Sequence, residues 1–346
     1  MKRFSKLLIW LNIFLALATL LAYVSPHLDP SELWPLSFFG IGYFYLLVAN
    51  VVFMLFWMLR KKHHWWISLM VIFLGCFHLN TYIGTSLFSQ NHSNEHLKLT
   101  SYNIGGLQLH KVKDKTKRKN KVRRIVNFFN QRAKPDILCV QEFGWVRFFS
   151  EELDFQNIAH NKGVAIYTSL PIVDKGSINF SKSSNAAVWA DIDIDGKIVR
   201  VYNVHLQSNA VSSQAESLID TPDPRKKRTW INAKSVIKKV KWATARRVAQ
   251  ARMVANHMIL SPHPVILCGD FNDTPQSYTY NVLSQGLRNT FREKGLGLGI
   301  TYAGSIPGLH IDHILVDENF VIQSHNIANV NLSDHYPVST EISFSE

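Results

Sequence analysis

Cysteine is scarce in this sequence, and no repeated or low-complexity segment is found. The 346 residues include three cysteines, which are scattered as Cys76, Cys139 and Cys268. Small secreted domains held by a disulfide framework use more cysteines at closer spacing, so that class is excluded. The absence of a repeat excludes solenoids and propellers built from one recurring unit. The hydrophobic residues, 47% of the chain, must therefore belong to a conventional core or to membrane segments.

Charged residues are nearly absent from three long stretches of the N-terminal third. Residues 4–24 and 36–59 contain no charged side chain apart from Lys6, and residues 65–88 contain only His78. Each stretch is close to the ~20 residues that an α-helix needs to cross a bilayer. The pattern predicts three transmembrane helices. For the third stretch, which includes several small polar residues, an interfacial position is the alternative.

The basic residues around these stretches predict an orientation in the membrane. Lysine and arginine occur within residues 1–6 and 60–62, whereas the loop at 25–35 has neither. Because cytoplasmic segments carry an excess of lysine and arginine, the N-terminus and residues 60–62 are expected in the cytoplasm. Three spans then place the rest of the chain on the extracytoplasmic, periplasmic side of an inner (plasma) membrane, and two spans would place it in the cytoplasm. A cleavable signal peptide is the alternative for the first stretch.

The remainder of the chain has the length of one soluble domain. We expect a membrane module at residues 1–96, ending in a short polar linker at 90–96, and a single domain at 97–346. About 250 residues are ample for one large core.

The segment PVILCGDFND combines an apolar run with two polar side chains that share a face. Residues 265–268 have the length of a buried strand, and Asp270 and Asn272 follow Gly269. Side chains two residues apart on a strand point the same way. A carboxylate and an amide at the end of a buried strand suit a phosphate or a metal, because unpaired polar groups in a core are costly. The alternative is a strand that ends in an Asx turn.

The same pattern recurs along the chain, where apolar strands are accompanied by Asn, Asp, Glu or His at one end. The segments are LKLTSYNIG with Asn103, PDILCVQEF with Gln141 and Glu142, KIVRVYNVHLQS with Asn203 and His205, HIDHILVD with Asp312, and LSDHYPVS with Asp334 and His335.

With these motifs in this order, the chain resembles the endonuclease/exonuclease/phosphatase superfamily over residues 97–345. This is the fold of pancreatic-type deoxyribonuclease, abasic-site endonucleases, inositol polyphosphate phosphatases and bacterial sphingomyelinases. The resemblance implies an α/β fold, a four-layer α/β/β/α sandwich of two packed mixed β-sheets flanked by helices, with the motifs meeting at one end. It also implies hydrolysis of phosphate esters with Mg²⁺ or Mn²⁺, hard cations that prefer oxygen ligands.

The resemblance implies a set of metal ligands. Glu142 is the main one, Asn103 contributes from the same side, and Asp334 is expected either in the metal shell or holding its histidine neighbour. Some abasic-site enzymes carry an aspartate two residues after the asparagine, where this chain has Gly105. That difference brings the site closer to the deoxyribonuclease and sphingomyelinase pattern.

The resemblance also implies the catalytic residues. His335 is expected to act as a general base or to polarise the phosphate, with Asp312 as the carboxylate that orients it. His205 would stabilise charge or protonate the leaving oxygen, although a lone histidine on an apolar strand is often a structural core residue. Asp270 would orient the attacking water, and Asn272 would donate to a phosphoryl oxygen.

Two further histidines lie near the fourth motif. His313 is adjacent to Asp312, so strand alternation turns it to the other face and predicts a structural role. His310 stands where many relatives have arginine, and it is either a weak phosphate contact or has no functional role.

The net charge of +13 is concentrated in two basic segments, residues 110–124 and 224–247. Each is expected to enter a helix, over 122–131 and from 224 towards Met258. The second has apolar residues roughly at helical spacing, namely Ile231, Val236, Ile237, Val240 and Ala243. A basic face suits nucleic acid, anionic lipid headgroups or phosphorylated glycans, and the plain alternative is a solvated helix face. Trp230 and Trp242 favour a contact surface.

These observations predict a membrane-anchored, divalent-metal-dependent phosphoric-ester hydrolase, in first place a phosphodiesterase. Its phosphate-ester substrate, whether lipid, nucleic acid or sugar phosphate, stays open, because a fold does not determine a substrate. The alternatives are a nuclease acting on DNA or RNA, and a catalytically silent membrane receptor with the same fold.

Overall fold

A computed structural model describes residues 2–86, 96–106, 112–143, 149, 151–209, 227–304 and 306–345. The expected linker at 90–96, apart from its last residue, lies outside these ranges, as do the beginnings of both basic segments and the last two residues of the third apolar stretch.

The N-terminal third is mainly helical. Its elements are α1 (Lys2–Val24), a 3-10 turn (Ser25–His27), α2 (Pro30–Leu33), α3 (Leu36–Ile41), α4 (Tyr43–Leu59), α5 (Trp65–Leu74), α6 (Cys76–Leu79) and β1 (Ile83–Thr85).

One helical stretch among the described residues, Ser5–His27, is long and apolar enough to cross a membrane. It matches the first predicted span, and an N-terminal helix of this kind serves as a membrane anchor or a signal sequence. The apolar helices Tyr43–Leu59 and Trp65–Leu74 are shorter. The prediction of three transmembrane helices is therefore met only in part.

Glycines interrupt the second and third predicted spans. Gly42 separates α3 from α4 within residues 36–59, and Gly75 separates α5 from α6 within residues 65–88. A single helix over 65–88 is wrong, because Ile83–Thr85 forms strand β1 and pairs antiparallel with Leu296–Leu298. The end of the third stretch thus obtains its backbone hydrogen bonds from the C-terminal domain instead of from a continuing helix.

The N-terminal helices bury polar side chains and expose apolar ones. The amide of Asn12 donates to Ser68 Oγ at 2.7 Å and accepts from the Trp57 indole at 3.1 Å. The Asn50 amide donates to Thr19 Oγ1 at 2.8 Å. Large apolar side chains face outward, among them Leu7, Trp10, Phe14, Leu17, Val52, Leu55, Met58, Phe73 and Phe77. Such an arrangement would be costly in water and is favourable in lipid, where small and polar residues join helices.

The C-terminal two thirds alternate strands and helices. The first half contains β2 (Leu97–Asn103), α7 (Lys115–Asn127) with a π-helical turn (Phe128–Ala133), β3 (Ile137–Gln141), β4 (Asn157–Asn161), β5 (Val164–Thr168), β6 (Ile172–Asn179), β7 (Ala186–Ile194) and β8 (Lys197–His205). The second half contains α8 (Lys227–Ile259), β9 (Val265–Asp270), α9 (Tyr278–Leu283), β10 (Arg288–Asn289), α10 (Thr290–Lys294), β11 (Leu296–Leu298), β12 (Asp312–Val316), β13 (Phe320–Ile327) and β14 (Val338–Phe344).

Two six-stranded sheets pack face to face. Their strand orders are β13-β14-β2-β3-β5-β4 and β10-β12-β9-β8-β7-β6. The core between them includes Leu99 and Ile137 from the first sheet and Val201 and Ile266 from the second. Helix α7 covers the outer face of the first sheet, and α8 covers the outer face of the second. The predicted four-layer α/β/β/α sandwich is confirmed.

Strand direction brings the motifs to one end of this sandwich. The pairs β2–β3 and β8–β9 are parallel, so their polar carboxyl ends lie at the same edge. Strand β12 runs antiparallel to β9, and its first residue, Asp312, lies opposite Asp270. In the last two motifs the polar residues lie at the amino end of the strand: Asp312 begins β12, and Asp334 and His335 precede β14.

The N-terminal helices pack against the loop that follows β9. Ser25 Oγ donates to the Gln276 carbonyl at 2.8 Å, and the Gln276 amide donates to the Ala22 carbonyl at 3.1 Å. Thr274 Oγ1 donates to the Gly40 carbonyl at 3.1 Å. A Cβ at Gly40 would lie 2.3 Å from the Gln276 carbonyl oxygen, so only glycine allows this approach. The loop is thus held four residues after Asp270 by the end of α1 and by α3.

Candidate active site

A histidine and an aspartate form a buried pair where β12 begins. His335 Nδ1 lies 2.9 Å from Asp312 Oδ2 and 3.1 Å from Asp312 Oδ1. The Tyr302 ring packs edge-on against the imidazole, with ring centres 5.1 Å apart. Thr301 Oγ1 accepts the backbone N–H of Asp312 at 3.0 Å and anchors the start of the strand. The carboxylate therefore holds Nδ1, and Nε2 is left to face the site.

The charge state of His335 is set by two opposing influences. Burial lowers the pKa of His335, but the Asp312 and Asp270 carboxylates outweigh it and raise the pKa to about 10. At neutral pH the side chain is then an imidazolium. A positive donor 3.9 Å from Asp270 Oδ2 suits a phosphoryl oxygen.

Asp270 lies at the centre of the predicted residues. Its Oδ2 accepts the Asn103 amide at 2.9 Å and lies 3.8 Å from His205 Nε2. Burial, reinforced by the Asp312 carboxylate, raises the pKa of Asp270 to about 6. A carboxylate with a pKa near neutrality is suited to accept a proton from water.

His205 faces acidic groups and is not an ordinary core histidine. Its Nε2 lies 3.8 Å from Glu142 Oε1 and 3.8 Å from Asp270 Oδ2. This nitrogen is buried without a hydrogen-bond partner. Burial lowers the pKa of His205 despite the Asp270 charge. A neutral imidazole with an unmatched nitrogen is poised to bond a ligand oxygen.

Two of the predicted residues adopt left-handed backbone conformations. Glu142 has φ 54° and Asn272 has φ 52°. Non-glycine residues rarely adopt this region, and such strain concentrates at functional sites. At Glu142 the conformation ends β3 and leaves the carboxylate partly exposed beside His205.

The bonds of Asn272 are those of a turn. Its backbone N–H donates to Asp270 Oδ1 at 2.8 Å, which forms an Asx turn, and its amide donates to the Leu206 carbonyl at 3.0 Å. The Asx turn, one of the two alternatives drawn from GDFND, is therefore present, and it orients the Asp270 carboxylate. Donation from Asn272 to a phosphoryl oxygen stays a prediction.

Asn103 and Asp334, the other two predicted metal ligands, lie on either side of Gly105. The Gly105 N–H donates to Asn103 Oδ1 at 3.0 Å. A Cβ at Gly105 would lie 2.8 Å from Asp334 Oδ1. The Asp334 carboxylate accepts the Ser333 hydroxyl at 3.1 Å. Gly105 occupies the position where some relatives have an aspartate. This position thus lies next to the Asp334 carboxylate.

The donor set fits a hard divalent cation. Asp270 and Asp312 offer carboxylate oxygens in a cluster with His335 whose atoms lie within 4.8 Å of one another; His335 itself, as an imidazolium, donates and does not ligate. The Glu142 carboxylate lies next to His205, beside the same Asp270. Clustered carboxylate oxygens are the ligands that Mg²⁺ and Mn²⁺ prefer. A bound cation would also compensate the buried negative charge that raises the pKa of Asp270.

Sequence reasoning did not assign a role to a buried amide network beneath the site. The Gln141 amide donates to Asn203 Oδ1 at 2.6 Å and to Ser101 Oγ at 3.1 Å. The Asn203 amide donates to the Ala165 carbonyl at 2.7 Å. Both amides end strands in the motifs, which is the signal that could have identified them, and they join the two sheets.

A buried ion pair was also missed. Arg247 of α8 donates from Nε to Asp273 Oδ2 at 2.9 Å and from Nη1 to the Gln207 carbonyl at 2.7 Å. It thereby ties the loops that follow His205 and Asp270 to one helix. The acidic partner ends the GDFND motif, but no spacing rule connects it to α8.

The other two histidines have structural environments. His313 is buried on the face away from the site, as predicted. Its Nε2 lies 3.2 Å from the Asp273 carbonyl. His310 is buried, and its Nδ1 lies 3.1 Å from the Thr81 carbonyl. Of the two alternatives for His310, phosphate contact does not fit these surroundings.

Comparison with protein-family models gives two matches. Residues 100–335 match the endonuclease/exonuclease/phosphatase family. Residues 5–82 match a domain of unknown function (DUF8431). A search of curated proteins finds no match.

Solved structures share the fold at low sequence identity. An endonuclease/exonuclease/phosphatase family protein from Bacteroides thetaiotaomicron has 18% identity and a TM-score of 0.54, with 74% of this chain and 100% of that one covered. A mannosyl-6-phosphatase from the same organism has 19% identity and a TM-score of 0.50, with 72% and 100% covered. D. rerio TDP2 in complex with a single-strand DNA product has 15% identity and a TM-score of 0.51, with 72% and 100% covered.

Proposed function

Since the chain belongs to the endonuclease/exonuclease/phosphatase family and is a hydrolase of phosphoric ester bonds, we propose that it is a membrane-anchored, divalent-metal-dependent phosphodiesterase. The observation that carries the proposal is the convergence of Asp270, His205 and the Asp312–His335 pair at one end of the sandwich. A catalytically silent receptor would have no need of buried acids and histidines at such cost.

The geometry supports a division of labour among the site residues. His335, held at Nδ1 by Asp312, presents Nε2 to a phosphoryl oxygen. Asp270 orients the attacking water and accepts its proton, while Asn103 and the Asx turn hold its carboxylate. His205 stabilises charge at the leaving oxygen. Each proton transfer of this kind contributes roughly 10²–10⁴-fold to the rate.

A Mg²⁺ or Mn²⁺ ion would be held by Glu142 together with Asn103 and Asp334. When bound, the cation supplies Lewis-acid stabilisation of the developing phosphate charge. The Asn103 oxygen accepts one backbone N–H, and an amide oxygen has a second lone pair that a cation could use.

The packing of the N-terminal helices supports a multi-pass membrane module with the hydrolase domain outside the cytoplasm. Polar side chains are buried between α1, α4 and α5, and apolar side chains face outward. The end of α1, α3 and the segment after α6 all contact the hydrolase domain. The basic residues lie at the opposite ends of the helices, where the positive-inside rule predicts the cytoplasm. We keep the proposed domain division at residue 96, with β1 of the N-terminal part pairing with β11 of the hydrolase domain.

The substrate belongs to the phosphate esters, and membrane anchoring favours a lipid. The solved relatives include a mannosyl-6-phosphatase and a protein that holds a single-strand DNA product. At 15–19% identity these establish the fold alone. A nuclease activity stays the alternative to be tested.

The decisive experiment measures hydrolysis of bis-p-nitrophenyl phosphate by the full chain in detergent, with Mg²⁺ or Mn²⁺ and with EDTA. We expect activity that EDTA abolishes and His335→Gln removes. The matched control is His160→Gln, which alters an exposed histidine on β4. Activity unaffected by EDTA or by His335→Gln would refute the metal and histidine roles. Phospholipid vesicles, oligonucleotides and sugar phosphates are then compared as substrates.

A further inference from the structure

The N-terminal part of α8 carries exposed apolar and basic side chains on one stripe. The stripe consists of Trp230, Lys234, Ile237, Lys238 and Lys241, and Trp242 lies at its edge. The two tryptophans are 59% and 52% exposed. Of the five apolar positions at roughly helical spacing, Ile231 and Ile237 are also exposed, whereas Val240 and Ala243 are buried. The apolar residues of this region therefore do not all serve the core.

Helical phase shows where the stripe points. Trp230, Lys241 and Arg252 are spaced eleven residues apart on one helix, which is about three turns, so they share one face. The Arg252 guanidinium forms an ion pair with Asp29, and Lys241 Nζ lies 5.3 Å from the centre of the Trp34 ring. Asp29 and Trp34 flank α2, in the loop between α1 and α3. This face of α8 is therefore directed at the membrane module on the side where the hydrolase lies.

The stripe extends beyond that contact. Each step of eleven residues advances about 16 Å along a helix, so Trp230 lies that far past Lys241 on the same face. There its side chain is 59% exposed. Lys241 and Arg252 are directed at the loop at the outer end of the module. The earlier residues of the stripe, from Trp230 to Ile237, are therefore directed at the space beside the module.

We propose that residues 229–242, the α8 arm, bind the anionic headgroup layer of the bilayer around the membrane module. This rests on the membrane placement proposed above. Lys234, Lys238 and Lys241 complement anionic headgroups, and the tryptophans suit the interface between headgroups and acyl chains. A nucleic acid would also attract the lysines, but the continuity of the stripe with the module contact favours the bilayer.

The arm is joined directly to the active site. On the other side of α8, Arg247 is buried and bonds Asp273 and the Gln207 carbonyl. These residues lie in the loops that follow Asp270 and His205. Docking of the arm therefore sets the height of the site above the lipid surface, which favours phosphate esters presented by the bilayer.

The test places an environment-sensitive fluorophore on the arm of the full chain. Ile231→Cys is labelled in a Cys76→Ser background, because Cys76 is exposed while Cys139 and Cys268 are buried. The protein is reconstituted into vesicles of phosphatidylcholine with or without phosphatidylglycerol, some containing a lipid with a headgroup-depth quencher. We expect a blue shift and quenching with phosphatidylglycerol, and a loss of both in pure phosphatidylcholine or at high salt. Val173→Cys, on the exposed strand β6, is the labelled control and should show neither.

Charge reversal provides a second experiment. Lys234→Glu/Lys238→Glu should abolish the lipid-dependent shift, and Lys117→Glu/Arg124→Glu, the same change of charge on exposed residues of α7, should preserve it. Hydrolysis of bis-p-nitrophenyl phosphate is followed in parallel, so loss of catalysis and loss of docking are distinguished. If label 231 behaves as label 173 in anionic vesicles, or responds only to added oligonucleotide, the proposal is wrong. Should the glutamate variant fold poorly, Lys234→Gln/Lys238→Gln replaces it.

Discussion

The N-terminal helical module and the hydrolase domain both bury polar side chains, but for different purposes. In the module the buried groups are neutral amides and hydroxyls, such as Asn12 and Ser68, and they bond one another across helices. In the hydrolase domain the buried groups at the site are ionisable, and His205 Nε2 lacks a partner. Mutually bonded neutral groups hold helices together in lipid. Ionisable groups with shifted pKa values that converge on one site are typical of residues that act on a ligand.

Removal of the site histidine should give the largest effect. His335→Gln is expected to lower kcat by roughly 10²–10⁴-fold, because the cationic donor held by Asp312 is lost. Stability should change much less, since glutamine can still bond Asp312. Steady-state kinetics and thermal unfolding are measured on the same preparation. If the free energy of unfolding fell by as much as the activation free energy rose, His335 would have a structural role, like the buried polar residues of the module.

Among the stability changes, disruption of the buried Arg247–Asp273 ion pair should be the largest. Arg247→Met leaves the Asp273 carboxylate buried without its partner, and we expect a loss of about 3–5 kcal/mol in the free energy of unfolding. Arg123→Met, which breaks an exposed pair with Glu152 at 3.3 Å, should cost under ~1 kcal/mol. Denaturant unfolding compares the two variants. Similar losses in the free energy of unfolding for the two variants would show that burial does not determine how much each ion pair stabilises the fold.

Buried histidines of the hydrolase domain should make its stability depend on pH. Burial lowers the pKa of His310 to about 4 and that of His325 to about 3. The unfolded chain, with a histidine pKa near 6.5, then binds protons first as the pH falls. Stability is complete above about pH 6.5 and is lost below it, by about 2 kcal/mol per histidine at pH 5.

The variant His325→Phe should reduce that loss. Phenylalanine cannot bind a proton, and its ring can pack on Phe291, whose ring centre lies 5.4 Å from that of His325. Unfolding is measured at pH 7 and pH 5 for both proteins. An unchanged difference between the two pH values would assign the dependence to other groups.

The interhelical amide of the module should have the smallest effect. Asn12→Leu removes bonds to Ser68 and Trp57, and we expect a loss of about 1–2 kcal/mol in the stability of the helix bundle. Hydrolysis of bis-p-nitrophenyl phosphate should be unchanged. Leu11→Ala, at an exposed neighbouring position, should change stability less. An activity loss in Asn12→Leu would show that the module shapes the site.

Much of the fold and the site was predictable because the relevant patterns are local. An apolar run that ends in Asp270, or in Asn203 and His205, indicates a buried strand with a polar end wherever the strand lies. The direction of β12 was not predictable in this way, since Asp312 begins its strand only because β12 pairs antiparallel with β9. The third apolar stretch was misjudged because residues 83–85 have a strand partner more than 200 positions away.

Hydrophobic periodicity also does not predict which face of a helix packs against a neighbouring element. Ile231 and Val240 both have helical spacing, yet only Val240 is buried, and the residues of α8 in the core against the sheet, Ala251 and Val254, come later in the helix. Arg247 looked like one member of a basic segment and is buried against Asp273.

The sequence by itself determined the chemical inventory of the protein: an apolar N-terminal third, a mixture of strands and helices, and acids and histidines at strand ends. These follow from hydrophobic periodicity and side-chain chemistry, which act over a few residues. Only the tertiary structure decided which polar groups meet, which are compensated by a partner, and which side of α8 faces the membrane module. Pairings between distant segments depend on strand direction and packing, and burial then determines the charge that each group carries.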